Sequence, residues 1–90
     1  MADIKQFPLF LIEWVDAESD VTWEDHDRIA EWGKKECLVT EIGFVIYEDE
    51  NQIVITNQLT SDKQRGNRTK IPKALIKKRQ KIKVQFVRKK

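Results

Sequence analysis

Hydrophobic positions along this chain fall into short runs separated by polar stretches, and most of the runs repeat with the two-residue period of a strand. Phe7-Pro8-Leu9-Phe10-Leu11-Ile12-Glu13-Trp14-Val15 has strand length and is rich in aromatic and branched residues. Phe10, Ile12 and Trp14 share one face and Leu9, Leu11 and Val15 the other. Both faces should be at least partly covered, as in a strand that bends between two halves of a small barrel. Pro8 and the branched content weigh against a buried helix.

The clearest alternation runs from Cys37 to Tyr47, with Leu38, Ile42, Phe44 and Ile46 on one side, Val39, Val45 and Tyr47 on the other, and Gly43 where a bend fits. Glu48-Asp49-Glu50-Asn51 reads as a polar turn, after which Gln52 to Leu59 resumes with Ile53, Ile55 and Leu59 on one face, completing a hairpin. Ser61 to Asn67 is expected to be a polar, basic loop. Thr69 to Pro72 forms a strand that must stop or bend at Pro72, which has no N–H to give to a ladder. One tight turn at Lys73 to Leu75 then leads into a final charged strand from Ile76 through Ile82 and Val84 to Phe86.

Between the first two strands, Asp16 to Val21 is polar connection, and Thr22 with Asp25 forms a Thr-x-x-Asp capping box. The box predicts a helix from Trp23, its first turn crowded with Glu24, Asp25 and Asp27, running about three turns to a stop at Gly33-Lys34-Lys35. Trp23, Ile29, Ala30 and Trp32 do not form a clean stripe. The alternative is a long, partly ordered loop pinned to the barrel by its two tryptophans.

Ninety residues provide for one domain, residues 1–90, burying roughly two-thirds of the surface of the unfolded chain, with a basic end at Arg88-Lys89-Lys90 that is expected to fray. Hydrophobic residues make up 40% and charged residues 36%, so much of the apolar content must go inside. Cys37 is alone, which excludes an internal disulfide and a cysteine-based zinc site within one chain, and a reducing, cytoplasmic setting is the simplest compartment. No signal-like start and no run of ~18 apolar residues is present, so neither secretion nor membrane insertion is expected. The net charge of +2 conceals a division. Residues 1 to 52 hold fourteen acids against four bases, net −10, whereas residues 53 to 90 hold thirteen bases against Asp62, net +12.

Catalytic chemistry finds little support. His26 stands among Glu24, Asp25 and Asp27, but helical neighbours one apart point in different directions, and a solvated helix start is the simpler account. Cys37 has no second histidine to activate it and is expected to be a buried, inert thiol. No spacing marks a hydrolase base or a site for developing negative charge. Glu48-Asp49-Glu50 fits a soluble hairpin tip better than a metal loop, and Arg65-Gly66-Asn67-Arg68 has one glycine, too few for a phosphate cradle. The chain is therefore expected not to be an enzyme and to carry no cofactor and no metal.

The basic portion carries more. Lys63, Arg65 and Arg68 share one loop, while Lys73, Lys77, Lys78, Arg79, Lys81 and Lys83 follow the final turn and strand. Arg65, Arg68, Lys77, Lys78, Arg79 and Lys81 are the candidate contacts to nucleic-acid phosphates. Against this stands the use of lysine to protect exposed strand edges, with counter-charges from the acidic part of the chain or of a neighbour. Trp14, Trp23 and Trp32 are read as core or interface residues, Trp23 and Trp32 being the interface candidates, because two of the three lie in acidic sequence that would repel a phosphate backbone.

The order of elements resembles that of the small five-stranded barrels, and Ile71-Pro72-Lys73-Ala74-Leu75-Ile76 resembles the strand, short 3₁₀ turn and strand that finish a Src-homology-3-like (SH3-like) barrel. Together with Glu13-Trp14-Val15-Asp16, Trp23, Thr40-Glu41-Ile42-Gly43-Phe44-Val45-Ile46-Tyr47-Glu48-Asp49-Glu50 and Ile53 to Ile55, it is similar to small bacteriophage proteins of unknown function whose barrel is Sm-like, the family that includes the bacterial RNA chaperone Hfq. The likeness covers about residues 10 to 79. It implies a mainly β fold, a strongly bent five-stranded SH3-like or Sm-like barrel with one short helix after the first strand. It also implies homo-oligomeric rings formed through strand edges, and a capacity to bind RNA or single-stranded DNA. The helix candidate follows the first strand instead of preceding it, and no Tyr-Lys-His segment precedes the last strand, so no pocket residue is carried over. The alternative function is an adaptor or inhibitor that docks on a host or phage protein through the tryptophan-bearing connection without binding nucleic acid.

Overall fold

A computed structural model describes residues 7–85. Its elements are β1 (Leu9–Asp16), α1 (His26–Lys34), β2 (Cys37–Glu48), β3 (Gln52–Leu59), β4 (Arg65–Pro72), a 3₁₀ turn (Lys73–Leu75) and β5 (Ile76–Ile82). The fold is mainly β: the strands form one open antiparallel sheet in the order β4-β3-β2-β1-β5. Strands β4 and β5 are therefore its two edges, although only the three-residue turn separates them in sequence.

That connection dictates a curl. Five flat strands would set the outer two about 19 Å apart, at some 4.8 Å per step. The three residues from Lys73 to Leu75, at about 2 Å of rise each in a 3₁₀ turn, cannot span that distance. The sheet must roll until its edges approach at this corner, and Pro72, which cannot donate to a ladder, ends β4 there. One hydrogen bond extends the β3–β4 ladder into the turn, and two contacts between strands that are not neighbours register the curl. Lys73 N–H donates to the Asn51 carbonyl at 2.8 Å, tying the turn to the β2–β3 hairpin. The Arg65 guanidinium, at the start of β4, lies 5.0 Å from the centroid of the Phe7 ring, just before β1. Glu41 on β2 accepts from Trp14 Nε1 on β1 at 3.2 Å and from Thr69 Oγ1 on β4 at 2.9 Å.

Two irregularities help the sheet bend. In the β2–β3 ladder Val45 faces Ile55 but Tyr47 faces Val54, leaving Ile46 as an extra residue. In the β1–β5 ladder Glu13 faces Lys78 but Trp14 faces Ile76, leaving Lys77 extra. Such bulges sharpen local twist and re-aim the side chains beyond them. Gly43 permits close approach: a Cβ there would sit 3.0 Å from both Ile55 Cβ and the Thr56 carbonyl oxygen.

The concave face holds the core, Ile12, Val45, Ile53, Ile55 and Ile71, with Phe10, Trp14 and Ile76 packed against it. The face of β1 carrying Phe10, Ile12 and Trp14 is thus the inner one. On β2 the inner side chains are those at odd positions, including Gly43 and Val45, and the more hydrophobic-looking set, Leu38 and Ile42, points out. Thr56 is the single buried polar residue among those described, its hydroxyl donating to the Gly66 carbonyl.

Several boundaries differ from expectation. The helix starts at His26, not Trp23, because Asp25 is the residue with extended backbone whose carboxylate accepts from Arg28 N–H at 2.9 Å. Thr22 instead gives its N–H and hydroxyl to Asp20 in a local turn. Strand β1 starts at Leu9, two residues past Phe7, and β4 starts at Arg65, inside the expected loop. Strand β5 ends at Ile82; Phe86 and the Arg88-Lys89-Lys90 end lie outside the described residues. No described helix is long and apolar enough to cross a membrane.

Candidate interaction surfaces

Strand alternation decides where the basic residues go. Arg79 faces Ile12 and Lys81 faces Phe10 in the β1–β5 ladder, which puts both on the side of the core, whereas Lys78 faces Glu13 on the outward side. Arg65 and Arg68 lie on β4, the opposite edge of the open sheet. The six sequence candidates therefore do not form one stripe along a single face.

Two of the six are engaged within the chain. The bulge at Ile46 turns Glu48 onto the core side, opposite Ile53, where the curl brings it against β5. Its carboxylate accepts both ends of the Arg79 guanidinium at 2.8 Å and Lys73 Nζ at 2.7 Å. Arg79 also stacks over Phe10, 4.5 Å from the ring centroid. These two cations, Arg79 first, hold the Glu48 carboxyl down at about 2. The pairing in turn raises the Arg79 guanidinium further. Lys77, the extra residue of the β5 bulge, reaches Glu36 at 3.1 Å. Among the described residues Arg65, Arg68, Lys78 and Lys81 make no ion pair with a carboxylate.

Glu48 thus bonds back across the fold instead of lying free at a hairpin tip. No spacing in the sequence marks it, because only the combination of bulge and curl brings it to Arg79. Asp49 organises the tip, its carboxylate accepting the N–H groups of Asn51 and Gln52 and the Tyr47 hydroxyl, each at 2.8 Å. Those bonds lower the Asp49 pKa and raise that of Tyr47.

Residues 17 to 36, the arm between β1 and β2, present the other candidate surface. Its helix buries no residue. Trp23 is 98% exposed and Val21 94%, and Ile29 and Trp32 are also exposed. Of the two uses expected for Trp23 and Trp32, core packing does not occur among the described residues, and the connection holds the expected short helix and not the alternative pinned loop; Trp14 packs on the core. Asp20, Thr22, Glu24, Arg28, Ile29 and Trp32 line a shallow cavity of about 310 Å³.

His26 opens α1, and no described group of three or more His, Cys, Asp or Glu side chains converges as a metal site would require. Cys37 is half-buried, not buried, and its thiol is pushed up by desolvation and by Glu18 and Asp16, which disfavours the nucleophilic thiolate. Comparison with protein families, with curated proteins and with solved structures found no match to the chain.

Proposed function

We propose that the chain is a non-enzymatic barrel of the SH3-like or Sm-like kind that self-associates and binds single-stranded nucleic acid. The observation carrying the first half is the strand order: β4 and β5, joined by a three-residue turn after Pro72, are the edges of a curled sheet and keep unpaired backbone groups outward. Unpaired edges are templates for strands of another copy. That order, with the long connection after β1 and the bent β2, is what the likeness to Sm-like phage proteins implies.

The nucleic-acid half rests on Arg65, Arg68, Lys78 and Lys81, whose charge is not taken up by carboxylates of the described chain. Four phosphate contacts on a single strand give a salt slope near −3, or a loss of roughly 50-fold in affinity between 50 and 200 mM salt. Sedimentation of the chain with a fluorescein-labelled single-stranded RNA at low salt tests it. Co-sedimentation that weakens with salt and with Arg65→Ala/Arg68→Ala is expected; RNA that sediments alone at every protein concentration refutes the nucleic-acid role.

A second role, docking on a host or phage protein without nucleic acid, is favoured by the exposure of Trp23 and Trp32. Trp23→Ser would then remove a protein partner and leave RNA behaviour unaltered.

A further inference from the structure

Charge sets a condition on any edge-to-edge assembly. Strand β4 carries Arg65, Arg68 and Lys70, and β5 carries Lys77, Lys78, Arg79 and Lys81, with no acid on either. Laying β4 of one copy beside β5 of the next sets like charges side by side, which destabilises the pairing. Arg79 and Lys77 are met by Glu48 and Glu36, but Arg65, Arg68, Lys70, Lys78 and Lys81 make no ion pair among the described residues, so an anionic segment beside them would relieve the repulsion. The arm is anionic, with seven acids against three bases in residues 17 to 36, net −4.

An apolar receptor for it exists on the outward face. In the paired register Leu9 lies between Phe44 and Ile82, and Leu11 between Ile42 and Gln80, so β1, β2 and β5 present adjoining apolar rows. Ile42 is 54% exposed, and Leu9, Leu11, Phe44 and Ile82 are half-buried. Lys78, with Glu13 opposite it on β1, borders them two residues along β5 from Gln80.

Its own arm leaves that patch uncovered. Its helix buries no residue, and Trp23, Ile29 and Trp32 are exposed while Ile42 stays 54% exposed; the arm springs from the Asp16–Cys37 pair, and Leu9 and Phe44 are seven register steps away along the same hairpin. That is about 23 Å at 3.3 Å per residue.

Resting on the self-association proposed above, we infer that the arm of one copy docks on the outward β1–β2–β5 face of a second copy. Trp23, Ile29 and Trp32 cover Leu11, Ile42 and Phe44, and the arm carboxylates lie toward the basic edge strands. Arm-to-arm pairing is disfavoured, since it would bring two net −4 segments together. The area is of the right order. Two tryptophans at about 150–250 Å² each, one nearly bare and one in part covered, with Val21 and Ile29, supply about half of the ~800 Å² per partner in a standard interface before any polar contact.

The test combines acrylamide quenching of tryptophan emission with solution mass across a concentration series. In the wild type, quenching should fall about threefold as mass rises, because interface tryptophans leave water. Trp23→Ser, which removes the arm anchor, and Ile42→Glu, which spoils the receptor, should each prevent the protection. Mixing the two should restore it, since Trp23 of the Ile42→Glu copy then meets an intact face. Rising mass with Trp23 still fully quenched overturns the arm contact while leaving edge assembly standing. Protection already complete in the dilute single chain, or gained only on adding a foreign protein, overturns it too. A chain that neither gains mass nor protects Trp23 removes both proposals.

Discussion

Gly43 and Glu48 show how single residues hold this curl. At position 43 a methyl group would press at 3.0 Å on the Ile55 Cβ and the Thr56 carbonyl, atoms anchored in the neighbouring strand. Gly43→Ala should cost about 1–3 kcal/mol, read as a lower denaturant midpoint with unchanged slope. Glu48 links β2, the 3₁₀ turn and β5. Its carboxyl sits at about 2 when folded against 4.5 ordinarily, so its stabilisation is complete above pH 4.5 and is lost as pH falls from there through 2. Glu48→Gln should therefore cost about 1 kcal/mol at neutral pH, and the difference from wild type should vanish near pH 2 in pH-dependent denaturation. Gly43 was legible in the sequence as a bend. Glu48 was not, since its role depends on a bulge at Ile46 that nothing in the local sequence marks.

At the scale of elements, period-two alternation located β1, β2 and β3, which supply four of the five core residues, whereas the first half of β4, Arg65 to Asn67, has no apolar alternation and was expected to be loop. The β3 limits and the turn after Pro72 follow directly from the residues there. Alternation did not reveal which face of β2 is inner: Leu38 and Ile42 look more apolar than the odd-numbered set, yet they point out. The curl admits small Gly43 and the Glu41 hydrogen bonds to the concave side instead. The helix start was misplaced because Thr22 and Asp25 both suit a cap, and Thr22 is claimed by Asp20. Asp25→Ala removes the true cap and should lower helical far-UV signal by an amount equal to one short helix. Since α1 buries no residue, the global unfolding midpoint should stay within about 0.5 kcal/mol of wild type.

For the molecule as a whole, opposite charges sort into the arm and the edge strands, and the unpaired backbone of β4 and β5 lies at the two sides of one curled sheet. The separation of charge was plain in the sequence; its geometry was not, because Arg79 and Lys77 are neutralised by Glu48 and Glu36 while Arg65 and Arg68 lie on the far edge. A chain built this way should not remain alone. Light-scattering mass at tens of micromolar concentration in physiological salt tests that most directly. A mass that rises with concentration to an integer multiple of 10.7 kDa is expected; a mass of 10.7 kDa at every concentration would contradict it.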